Sequence, residues 1–103
     1  MLDDLIIKLE VSREHGMAVA FLVGGVYRLT EIGRANNQSE YYLSMKDMAE
    51  ATGMSYRQVR EAAKKAKEAG LLDYRQGYKP RTTVKTTYWE LLWEGFNRQE
   101  VQL

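Results

Sequence analysis

The sequence predicts a single α+β domain in which a three-helix core carries a β-hairpin. Three observations lead there. At 103 residues the chain has the length of one domain, since a single core is usual at about 100–150 residues. Helix-type apolar spacing dominates from Met17 to Ala69, with cap residues and glycines where helices would start and stop. Beyond it, two β-rich runs flank a Gly/Pro turn, the pattern of a hairpin. With 45% apolar and 11% aromatic residues the chain can fill a core, and with no cysteine it does so without disulfides.

At the N-terminus, Leu5, Ile7, Leu9 and Val11 alternate with Ile6, Lys8 and Glu10, so a strand is expected over Leu5–Val11. Leu2, Leu5, Ile6 and Leu9 would serve a helix equally well. His15-Gly16 marks a turn. The run MAVAFLVGGVYRLTEI that follows is apolar nearly all round, as a buried helix is. Its most apolar part, Met17–Val26, falls short of the roughly 20 residues of a membrane span. Gly24-Gly25 in its middle costs about 1 kcal/mol per glycine relative to alanine, which argues for close packing of another element there. The helix is expected to end near Ile32, with Gly33 as its C-cap.

Arg34–Glu40 reads as a surface loop and Tyr41–Leu43 as a short strand. Ser44 then caps a helix with Met45, Met48 and Ala49 on one face, and Gly53 breaks it. Ser55 starts the next helix with the capping box Ser55-x-x-Gln58. Val59, Ala62, Ala63, Ala66 and Ala69 line its inner face, Gly70 stops it, and Lys64, Lys65 and Lys67 suit the negative end of its dipole. Leu71–Gln76 and Thr83–Leu91 form the hairpin around a turn at Gly77-Tyr78-Lys79-Pro80. The domain is therefore set at residues 1–92. The tail, 93–103, is a short helix candidate carrying Trp93 and Phe96 beside Leu91 and Leu92.

Charge is unevenly spread. Residues 55–85 hold nine basic against three acidic side chains, a net +6, which leaves −5 for the rest of a chain whose total is +1. A basic third on a near-neutral protein suits a polyanion; the plainer alternative is a well-solvated helix face and hairpin. The acidic opening Met1-Leu2-Asp3-Asp4 lacks the positive start of an export signal, so a cytoplasmic location is expected. His15 is the one histidine, and no Gly-rich phosphate loop with a GK[ST] motif occurs. No enzyme, metal, cofactor or small-molecule ligand is therefore expected.

Two helices that cross steeply need a small residue at their contact, a residue that turns at the corner, and apolar residues that fix the second helix. Ala49, Gly53, Met54, Val59 and Ala62 fill those roles in order. The segment LSMKDMAEATGMSYRQVREAAKKAKEAGLLDYRQGYKPRTTVKTTYWEL resembles the winged helix-turn-helix superfamily, nearest to the DNA-binding domains of phage and plasmid replication proteins and their regulators. Those tend to share a short N-terminal strand, a hydrophobic helix, a loop and an aromatic pair after the wing, here Leu5–Val11, Met17–Ile32, Arg34–Glu40 and Tyr88-Trp89. The resemblance implies sequence-specific binding of double-stranded DNA by a transcription or replication regulator of a mobile element.

Within that scheme the second helix enters the major groove. Tyr56, Arg57, Arg60, Glu61 and Lys64 face away from Val59 and Ala62. Arg57 and Arg60 are the expected base readers, because a guanidinium can bond two acceptors of guanine at once. Ser55 and Tyr56 suit a phosphate or a thymine methyl, and Gln58 is counted with them. Ser44 and Lys46 would anchor the backbone, and Arg75, Lys79, Arg81 and Lys85 would line the wing. The alternative for the arginines is a solvated face, with Arg60–Lys64 and Glu61–Lys65 at i,i+4. Lys65 and Lys67 read as plain surface, Tyr78 as a sugar contact or turn packing, and Trp89 and Trp93 as core or dimer contact. A homodimer is expected, spanning half-sites about 34 Å apart, through Leu91–Leu103 and the N-terminal segment. Two other functions fit the same residues: a winged-helix module that binds an acidic protein, and an accessory protein that coats DNA without sequence preference.

Overall fold

A computed structural model describes residues 10–92. Residues 10–15 are helical (α1), so the strand expected over Leu5–Val11 is wrong at Glu10 and Val11, and its residues 5–9 lie outside the described part. The run satisfies both periods, and here Val11 turns inward, 2% exposed, to join the core. Gly16, with φ +91, separates α1 from α2, Met17–Ala35.

Helix α2 is the centre of the fold. Val19, Ala20, Leu22, Val23, Val26 and Tyr27 are buried along it, and it packs against every later element except β2 in substantial contact. It runs past Gly33 and is capped at Asn36, whose amide meets the Ile32 and Gly33 carbonyls. Gly33 is thus a contact residue rather than the expected C-cap: the Tyr41 ring lies where a Cβ would stand. The Gly24-Gly25 pair divides in the same way. A Cβ on Gly25 would lie 3.0 Å from Met48 Sδ and Thr52 Cγ2 of the next helix, whereas Gly24, although buried, has nothing within 4 Å of that position.

After β1, Tyr41–Tyr42, come α3, Met45–Thr52, and α4, Tyr56–Glu68, then β2, Leu72–Tyr78, and β3, Lys85–Leu91. Ser44 Oγ caps α3 by accepting from the Asp47 amide at 3.0 Å. Gly53 ends it in the left-handed region at φ 75, a conformation that an L side chain adopts only with strain. The capping box of α4 is complete: Ser55 Oγ accepts from the Gln58 amide and Gln58 Oε1 from the Ser55 amide. Val59, Ala62, Ala63 and Ala66 are buried beneath α4; the small alanines let it sit close to α2. Ala69, expected on that inner face, is exposed, because it is already the C-cap.

The three strands form an antiparallel sheet in the order β1-β3-β2. Trp89, 3% exposed, donates its indole N–H to the Leu43 carbonyl at 2.9 Å, and the Leu43 amide donates to the Thr87 carbonyl. These two bonds fix β1, and with it the start of α3, to the hairpin. The hairpin reverses later than expected. Gly77 and Tyr78 belong to β2, and the loop is 79–84, closed by the Lys79 amide on the Val84 carbonyl at 2.9 Å. Gly77 is not a turn residue here, because the Tyr88 ring covers it. No helix among the described residues is long and apolar enough to cross a membrane.

Candidate nucleic-acid interface

Burying Val59, Ala62, Ala63 and Ala66 obliges the opposite stripe of α4 to face solvent. Tyr56, Arg57, Arg60, Glu61 and Lys64 occupy that stripe, and together with the start of α3 and one face of the hairpin they line an open groove. Ser44 and Lys46 enter it from α3; Tyr74, Gln76, Lys85 and Thr87 enter it from the sheet. Lys46, Arg57, Arg60, Lys64 and Lys85 therefore meet from three elements, against one carboxylate, Glu61, among the described residues of the groove.

The strand partners explain which hairpin residues reach the groove. Side chains two apart share a sheet face. Gln76 pairs with Thr87 and Tyr78 with Lys85, so these fall on one face, and the Thr87 hydroxyl donates to Gln76 Oε1 at 3.2 Å. Arg75 pairs with Tyr88 on the other face. There its guanidinium lies 4.3 Å from the Tyr88 ring centroid and bonds Glu40 at 2.6 Å. Lys79 and Arg81 are exposed in the loop 79–84 and do not line the groove.

Of the expected contact residues, Ser44, Lys46, Tyr56, Arg57, Arg60, Lys64 and Lys85 are brought together. Ser55 and Gln58 are occupied with each other in the capping box. Arg75 is held on the opposite face of the sheet. Tyr74, Gln76 and Thr87 line the groove without a charge or motif that marks them in the sequence; their signal is the alternation of β2 and β3, readable only once the register is known.

The groove's cations are not all alike. Arg57, its side chain 88% exposed, bonds Glu61 through Nε at 3.3 Å, so the i,i+4 ion pair of this helix is Arg57–Glu61 and not Glu61–Lys65. The Arg60 guanidinium lies 5.7 Å from the centroid of the Tyr56 ring. Lys67, at the far end of α4, bonds Asp73 at 3.2 Å and lies 5.1 Å from the Tyr74 ring centroid. The Lys67 ammonium, followed by the Tyr74 amide, holds the Asp73 carboxyl below its ordinary range. That pair tethers α4 to β2 beside the groove. No set of three or more His, Cys, Asp or Glu placed to hold a metal occurs among the described residues. The candidate dimer contacts, the tail and the N-terminal segment, fall largely on residues 1–9 and 93–103, outside the described part.

No family model matches the sequence, and no curated protein matches it.

Proposed function

We propose that this chain is a winged helix-turn-helix protein that binds double-stranded DNA sequence-specifically, as a transcription or replication regulator of a phage, plasmid or similar element. The observation that carries this reading is the groove in which five cations from α3, α4 and β3 converge. Helix α4 presents its charged stripe outward and, with side chains, has the diameter of about 10–12 Å that fits a major groove about 12 Å wide. With α4 so placed, Arg57 and Arg60 in its first two turns meet base edges, Ser44 and Lys46 meet phosphate on one side, and Lys85 meets it on the other. Lys79 and Arg81 extend the hairpin toward flanking phosphates. Arg75 has no part in this contact.

Selection of bound sequences from a random duplex pool tests the reading, with Arg57→Ala/Arg60→Ala run in parallel. A defined motif that the double variant loses is the expected result, and a palindrome in it would also give the spacing of a dimer. Binding at low salt with no enriched motif would leave only DNA coating. Absence of binding to any duplex would overturn the proposal in favour of a protein partner.

A further inference from the structure

Glu61 has the wrong charge for a surface that meets phosphates. It stands in the groove among Lys46, Arg57, Arg60, Lys64 and Lys85. Arg57, Arg60, Glu61 and Lys64 follow the i, i+3, i+4, i+7 spacing of one helix face, so the carboxylate lies within the surface α4 offers and not at its margin. Its side chain is 61% exposed and accepts from Arg57 Nε. With Nε engaged, the two terminal nitrogens of Arg57 remain for an end-on contact, the pair that matches guanine O6 and N7.

Duplex DNA carries one negative charge per about 1.7 Å of axis. A carboxylate pushed into its groove is repelled by every sequence alike, and a protein that only coats DNA gains by lacking it. The base-edge groups that repay a carboxylate are amino groups, cytosine N4 foremost. Resting on the DNA-binding reading above, we infer that Glu61 is the specificity-determining residue of this face. It holds Arg57 by Nε for reading guanine, accepts from the amino group of a nearby cytosine, and penalises duplexes that offer neither.

The test compares the full chain with Glu61→Gln, Glu61→Ala, Arg57→Ala and the Arg57→Ala/Glu61→Ala double variant. Each is titrated against the selected duplex and a scrambled duplex of equal length and composition at fixed salt, with thermal melting as the fold control. Both Glu61 variants should bind the scrambled duplex more tightly, and their preference for the selected one should fall about tenfold or more, the scale of one base contact. The double variant should lose preference beyond Arg57→Ala alone, because the cytosine contact goes with Glu61, but less than the two single losses combined. Repeating the selection with Glu61→Ala should erase a cytosine from the motif. An equal gain on both duplexes, leaving the preference intact, would make Glu61 a mere repulsive charge and overturn the inference while DNA binding stands. A wild-type chain that binds duplexes without preference would do the same, whereas one that binds none would overturn the DNA-binding reading itself.

Discussion

A Cβ on Gly25 would lie 3.0 Å from two side-chain atoms of α3, a Cβ on Gly24 would meet nothing within 4 Å, and one on Gly33 would run into the Tyr41 ring. Alanine at these positions should therefore act in opposite directions. Gly24→Ala should raise the denaturant midpoint, since it removes a helix penalty of about 1 kcal/mol without a steric charge. Gly33→Ala should lower stability by about 1–3 kcal/mol, the range of overpacking, because the ring that must move is part of β1. An equal response at both sites would refute this account of the helix. The doublet was visible in the sequence as a packing signal, but which glycine carried the contact was not, since that depends on where α3 crosses α2. Gly33 misled for a related reason: near a helix end, a glycine that makes room looks like one that caps. The Asp73 carboxylate gives a residue-scale pH effect. Its pKa lies below the ordinary 3.8, so its pair with Lys67 stabilises the fold above that value and is lost as pH falls through the lower, folded one. Both side chains are about half exposed, which keeps the effect under about 1 kcal/mol. Asp73→Asn should accordingly cost little at pH 7, and that cost should shrink as pH falls below 3.8 in urea titrations.

Helices α3 and α4 were legible because their limits are written locally. Ser44, Gly53, Ser55 and Gln58 each act on amides or carbonyls within four residues, and all four do in the structure what the spacing required. Removing one such signal should have a local cost: Ser55→Ala should lower stability by about 1 kcal/mol, seen as a lower midpoint at unchanged slope. Because the capping box orders the very turn that carries Tyr56 and Arg57, the same variant should weaken duplex binding more than Lys65→Ala, which removes no capping side chain. The elements that depart from their sequence pattern depend on distant partners. Residues 10–15 satisfy both a helix and a strand by pattern, and burial of Val11 beside the core decides for the helix. The hairpin reverses two residues later than its Gly/Pro pattern predicts, because what requires glycine at Gly77 is the Tyr88 ring from the facing strand and not a turn.

At the scale of the molecule, the concentration of positive charge between residues 55 and 85 was plain in the sequence, but its distribution over two faces was not. A two-residue error in the turn alters the strand register, and register decides which basic residues look the same way. Arg75 and Lys85 count equally in a charge sum; in the structure Lys85 lines the groove, while Arg75 is bound to Glu40 across the sheet. Salt dependence separates the two. Each phosphate contact contributes about 0.9 to the slope of log affinity against log salt. Lys46→Ala, Lys64→Ala and Lys85→Ala should therefore each reduce the slope by about one contact, with similar loss on selected and scrambled duplexes, since phosphate contacts carry no sequence information. Arg75→Ala should leave the slope unchanged. If instead Arg75→Ala lowered it as much as Lys85→Ala, the bound surface would have to include the outer face of the sheet, and α4 could not be the element that fills the groove of the DNA.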